Sequence, residues 1–124
     1  MLGDKDAIAT IAVKKVDAAR TFYEGTLGLK SLPSQEQGVL TYKSGKGSVL
    51  VYESQFAGTN KATAVSWAVD DIEGAVRDLK TKGVRFEHYD FPGVTRQGDV
   101  HGTGKTRAAW FKDPDGNILA LVSS

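Results

Sequence analysis

Apolar positions along the chain follow two different periods, and the pair of periods occurs twice. Ile8 to Val13 (IATIAV) is short, apolar and rich in β-branched residues, which predicts a strand. Val16, Ala19, Phe22, Tyr23 and Leu27 then recur at three- and four-residue steps, the spacing of one helical face. Gly25 and Gly28 end that helix, Gly28 being suited to the left-handed conformation after a last turn. Leu29 to Leu32 predicts a strand before Pro33, and Val39 to Lys43 and Ser48 to Glu53 flank a Ser44-Gly45-Lys46-Gly47 hairpin turn. Gln55 to Ala62 predicts a polar loop.

The second half repeats the order. Ala64 to Val69 (AVSWAV) predicts a strand, and Ile72, Ala75, Val76 and Leu79 mark a helical face. Lys80, Lys82 and Gly83 close it, the lysines at the negative end of the helix dipole and the glycine at the cap. Val84 to Asp90 predicts a strand. Arg107 to Lys112 and Ile118 to Val122 flank Asp113-Pro114-Asp115-Gly116-Asn117, a strong turn signal. Sliding the first half by 56 residues puts Val13 on Val69, Val16 on Ile72, Ala19 on Ala75 and Tyr23 on Leu79. Any two strand–helix units look somewhat alike, but here four core positions and the helix end agree. An internal duplication follows: an α+β chain of two tandem βαβββ modules, about 7–55 and 63–122, within one domain over 1–124.

Strand alternation separates two faces in each first strand. Ala9, Ile11 and Val13, and in the second copy Val65, Trp67 and Val69, belong under a helix. Ile8, Thr10 and Ala12, and in the second copy Ala64, Ser66 and Ala68, face the other way. This second set is small or mildly polar, which suits the wall of a cavity better than a packed core.

Composition narrows the field of functions. Sixteen basic residues against fifteen acidic leave a formal charge of +1, so no electrostatic footprint favours nucleic acid or a membrane surface. The chain has no cysteine, which excludes disulfides, thiol nucleophiles and iron–sulfur clusters. Met1 to Asp6 carries no apolar run of signal-peptide length, and no stretch approaches the roughly twenty apolar residues of a membrane span. The expected address is the cytoplasm.

Three segments carry a resemblance. Phe22-Tyr23-x-x-x-Leu27-Gly28-Leu29 is similar to the first-module signature of the glyoxalase/bleomycin-resistance/dioxygenase (vicinal oxygen chelate) superfamily. Ala109 to Asn117 is similar to its C-terminal hairpin signature, and Val69-Asp70-Asp71 stands where its second module turns from strand into helix. The resemblance implies paired βαβββ modules whose curled mixed sheets enclose a cavity, within one chain or across a homodimer. It also implies four positions at which metal-dependent members hold a divalent ion with His or Glu. Carried over residue by residue, these fall on Ile8, on one of Val51, Tyr52 and Glu53, on Ala64 and on Ala120. An aliphatic side chain has no lone pair for a metal. The expectation is therefore no metal and no cofactor.

The other candidates have bland alternatives. His88 beside Glu87 and Asp90, and His101 near Asp99, could serve a relocated metal or acid–base site, but read better as a strand-edge and an exposed loop histidine. With Glu53 they are the catalytic candidates. Phe91 to Thr106, with Gly93, Gly98, Gly102 and Gly104, is long for a bare connection and reads as a lid. Trp110 pairs most naturally across the last hairpin from Ala120, offering an apolar wall and an N–H donor, unless it is core. Tyr42, Tyr52 and Tyr89 are weaker aromatic candidates whose facing depends on register. Asp113 and Asp115 have the spacing of a capped turn rather than a catalytic pair. The expected function is metal-independent binding or sequestration of a small, partly aromatic or amphipathic molecule. Its expected contacts are Ile8, Thr10, Ala12, Tyr52, Ala64, Ser66, Ala68, Trp110 and Ala120. A lyase or isomerase with a non-standard site is the alternative.

Overall fold

The first β-branched run forms strand β1 (Ala9–Val13), and the chain turns within two residues into helix α1 (Val16–Arg20). The structure, a computed structural model, describes residues 1–34 and 36–124. Its first unit spans Met1–Thr59 and its second Asn60–Ser124.

In the first unit α1 widens over Thr21–Thr26 into a π-helical segment, where Leu27 N–H donates to the Phe22 carbonyl five residues back. Gly28 (φ +73°) then lets the chain reverse so that Leu29 N–H reaches the Tyr23 carbonyl at the helix end. Strands β2 (Lys30–Leu32), β3 (Val39–Ser44) and β4 (Gly47–Glu53) complete a mixed sheet in the order β1-β4-β3-β2, with β1 and β4 parallel. One face buries Ile11, Val13, Leu40, Tyr42, Val49 and Val51 with Ala19 and Tyr23 of the helical segment. Tyr23 and Tyr42 stack 6.3 Å apart, and the Tyr42 hydroxyl donates to Glu24 Oε2 at 2.8 Å. Burial first, then that carboxylate, raises the Tyr42 pKa far above its ordinary value, so the phenol stays protonated.

The second unit contains β5 (Thr63–Ala68), α2 (Ile72–Thr81), β6 (Phe86–Glu87), β7 (Thr95–Gln97), β8 (Val100–Thr103), β9 (Thr106–Lys112) and β10 (Ile118–Ser123). Asp71 caps α2 by accepting Gly74 N–H at 3.0 Å. The sheet runs β5-β10-β9-β8-β7, with β6 also on β9 and β5 parallel to β10. Ile72, Val76, Ala109, Phe111, Leu119 and Leu121 form its core.

The α+β class and the duplicated order hold: each unit opens strand–helix and sets its first strand parallel to its last. Ile11 lies beside Val51 and Trp67 beside Leu121, so the repeat offset is 56 residues at the first strand but 70 at the last. The added length is the β7–β8 hairpin. Two expectations are corrected by it. Strand Val84 to Asp90 shrinks to Phe86–Glu87, because the chain leaves β9 there and β8 takes its place along that strand. Phe91 to Thr106 is then no bare lid, since residues 95–97 and 100–103 pair as strands.

Asp113 Oδ1 accepts the N–H groups of Asp115 and Asn117, and its Oδ2 accepts Asn117 Nδ2–H, so the β9–β10 turn is a capped turn. No helix among the described residues is long and apolar enough to cross a membrane.

Candidate functional site

Register settles which side chains share a face. In the first unit Thr10 lies beside Leu50, and Ala12 beside Tyr52, which also faces Val39; this is the face turned away from the helix. Ile8 precedes β1 and is exposed. Glu53 points the other way with Val13, and its Oε2 accepts the N–H of Val16, the first residue of α1. Of the three options for the second carried-over position, Tyr52 alone faces with Thr10 and Ala12. Glu53 serves the helix, and Val51 is core.

In the second unit Ser66, Ala68, Ala120, Val122, Ala108 and Trp110 share the face turned away from α2. A β-bulge interrupts the β5–β10 pairing: Ile118 opposes Thr63 while Leu119 opposes Val65, leaving Ala64 extra. The bulge brings Thr63 round to the Ile118 side, where its Oγ1 accepts the Trp110 indole N–H at 3.1 Å. Trp110 is thus a wall, as the pairing with Ala120 implies, but its donor is already engaged within the protein.

Around that indole lies a cleft of about 380 Å³, lined by Lys61, Ala62, Thr63, Tyr89, Phe91, Trp110 and Ile118. Its rings form a cluster, with Tyr89 edge-on to Trp110 at 5.4 Å and Phe91 tilted against it at 5.8 Å. Trp110 was expected here, and Tyr89 was a weaker candidate. Phe91 and Lys61 were missed, because a lone Phe before Pro92 and a lone loop Lys carry no periodic signal.

His101 corrects the sequence reading most sharply. It is not an exposed loop residue but a strand residue only 2 % exposed, set beside Ala108 on the Trp110 face. Its ring meets the indole edge-on at 4.9 Å. Nε2 accepts the backbone N–H of Tyr89 at 3.0 Å; a backbone amide only donates, so Nε2 carries the lone pair and Nδ1 the proton. Nδ1 is buried with no hydrogen-bond partner among the described residues. Leaving such a donor unsatisfied costs about 1–3 kcal/mol.

His88 is not in a strand. Its Nε2 meets Asp99 Oδ1 at 2.7 Å, and Lys80 of α2 donates to Asp99 Oδ2 at 2.8 Å. The lysine bond, followed by the histidine bond, holds the Asp99 carboxyl below its ordinary pKa. These contacts tie the β7–β8 turn to the end of α2, and none of the three residues lines the aromatic cleft.

The family model for the Glyoxalase/Bleomycin resistance protein/Dioxygenase superfamily matches residues 6–121. The chain belongs to that superfamily. A superfamily member from Sphaerobacter thermophilus is similar over all of both chains, at 24% identity and TM-score 0.67. Lactoylglutathione lyase from Agrobacterium tumefaciens is similar over 98% of this chain and 94% of its own, at 16% identity and TM-score 0.71. A glyoxalase/bleomycin resistance protein from Streptomyces sp. CB03234 covers 94% and 98%, at 21% identity and TM-score 0.63. None of the curated proteins matches the chain.

The positions that the family resemblance carries over for a metal hold few donor atoms. Ile8, Ala64 and Ala120 have no lone pairs, and Tyr52 in place of Glu53 brings only a phenol. Among the described residues no three His, Asp or Glu side chains group to hold an ion. These residues do not fit the divalent ion that metal-dependent relatives bind.

Proposed function

We propose that this superfamily member binds a small, planar, partly aromatic molecule without a metal, in the cleft formed by Tyr89, Phe91 and Trp110. The observation that carries the reading is that aromatic cluster: three rings bound an open cleft, where a flat ligand gains stacking and edge-on contacts. The exposed Lys61 at the same cleft favours ligands with an electron-rich or anionic edge. Ser66, Ala68 and Ala120 offer further apolar or mildly polar wall on the helix-free face that carries Trp110, and Thr10, Ala12 and Tyr52 share the corresponding face of the first unit. We infer a homodimer from the family resemblance, and sedimentation equilibrium tests it.

The test is calorimetric titration with a panel of planar aromatic acids, ketones and phenols, with and without EDTA, on the wild type and on Trp110→Ala. The reading expects at least one class to bind, indifferent to chelation and lost in the variant. Binding abolished by EDTA, or unchanged in Trp110→Ala, overturns it.

A further inference from the structure

Three rings line the cleft beside four other residues, and a buried polar atom that would tell one flat ligand from another has to be found among few groups. Trp110 N–H is held by Thr63, and Lys61 is an exposed charge that attracts without fixing orientation. His101 is different. Its Nε2 is committed to Tyr89 N–H, which places the ring's proton on Nδ1. That atom is buried and has no hydrogen-bond partner among the described residues. The imidazole packs 4.9 Å from the Trp110 ring and 6.4 Å from the Tyr89 ring, and both of those rings line the cleft.

A desolvated donor without an acceptor favours whatever occupant brings one. Resting on the ligand-binding reading of this cleft, we infer that His101 is its specificity-determining residue, donating from Nδ1 to an oxygen conjugated to a planar aromatic ligand. The ligand class is therefore aromatic carbonyl compounds: ketones, quinones and aryl carboxylates. Nδ1 has no free surface, so an oxygen reaches it only through local opening around the imidazole. Phe91 is 47 % exposed and is the outermost ring. A site that reads an acceptor with a buried donor discriminates against the isostere lacking it, because binding that isostere leaves the donor unpaired.

The test uses two neutral probes of one shape, 2-acetylnaphthalene and 2-isopropenylnaphthalene, so that Lys61 contributes no charge term. Both are titrated against the full chain, H101F and the donor-retaining H101Q. The expected result is a roughly two- to tenfold preference for the ketone in the wild type, the contribution of one hydrogen bond. H101F binds the two probes alike, and H101Q keeps the preference. Long-range 1H–15N NMR of the imidazole gives a readout that needs no variant: a proton on Nδ1, and an Nδ1 resonance that moves on adding the ketone. Equal affinities in the wild type, a preference that survives in H101F, or an Nδ1 resonance that stays put overturns the inference while the cleft reading stands. If neither probe binds the wild type, the inference falls, and the panel titration decides the cleft reading separately.

Discussion

Glu53 at the end of β4 reaches the start of α1, its Oε2 accepting the Val16 N–H at 3.0 Å. The first turn of a helix has N–H groups with no partner in the helix itself, and the N-cap residue Lys15 supplies no side-chain cap. A carboxylate from the neighbouring strand fills that role and also suits the positive end of the helix dipole. Of the three options for the second carried-over metal position, the one with a carboxylate is therefore occupied with holding a helix.

Glu53→Ala is accordingly expected to lower stability by about 1 kcal/mol, the usual cost of a lost N-terminal cap. It should leave ligand affinity untouched. Urea unfolding and calorimetry on the same preparation check the two halves. A variant as stable as wild type that has lost binding would return Glu53 to the list of site residues.

Much of the architecture was legible because it depends on burial. Ile11, Val13, Val49, Val51, Leu119 and Leu121 alternate cleanly, and their strands lie within a residue or two of where periodicity puts them. The β7–β8 hairpin escaped for the opposite reason. Thr-Arg-Gln and Val-His-Gly-Thr are short and mostly polar, with no apolar alternation to report. Its signal was in the turns: Gly98-Asp99 and Gly104-Lys105, both glycines at positive φ, stand six residues apart with a strand's length between them. Missing the hairpin put His101 in an exposed loop, whereas its pairing with Ala108 sets it on the Trp110 face. The facing of Tyr52 and Glu53 was likewise hidden, because a one-residue uncertainty in register exchanges the two faces.

The Asp99 cluster predicts a pH dependence. Lys80 and His88 favour the ionised carboxylate, so its folded pKa lies below the unfolded value of 3.8. A depressed carboxyl contributes stability that is present above the unfolded pKa and lost as pH falls through the folded one. Thermal unfolding followed from pH 6 downward should show wild type losing stability below about 3.8. Asp99→Asn should start lower at pH 6 and fall less steeply. Parallel curves for the two proteins would mean that the cluster contributes nothing.

Asp113 has a larger predicted effect. It is 5% exposed, and its carboxylate accepts three hydrogen bonds, from two backbone amides and the Asn117 side chain. Asp113→Ala removes the acceptor of all three bonds at a partly buried turn, a loss of roughly 3 kcal/mol given about 1–3 kcal/mol per lost partner and partial relaxation. Asp113→Asn, which keeps one acceptor oxygen, should lose clearly less. Similar denaturation midpoints for Asp113→Ala and wild type would dismiss the turn as a stability element and reopen the question of a chemical role for the Asp113–Asp115 pair.

The contact between Trp110 and Thr63 separates the orientation of the cleft wall from its mere presence. Thr63→Val keeps the shape of the residue and removes the oxygen that accepts the indole N–H at 3.1 Å. Because that bond is exposed, its loss should cost only about 0.5–1 kcal/mol of stability. The indole then loses the one hydrogen bond that supplements its packing against Tyr89, Phe91 and His101, and a flat ligand must pay to order it. Affinity for 2-acetylnaphthalene should consequently fall several-fold in Thr63→Val and further in Trp110→Ala, where the wall itself is gone. The two effects are told apart by ligand shape: a small spherical probe such as xenon, which needs no particular ring angle, should bind Thr63→Val as well as it binds wild type. If Thr63→Val binds the naphthyl ketone with wild-type affinity, the bulge that turns Thr63 towards Trp110 is a feature of strand pairing alone.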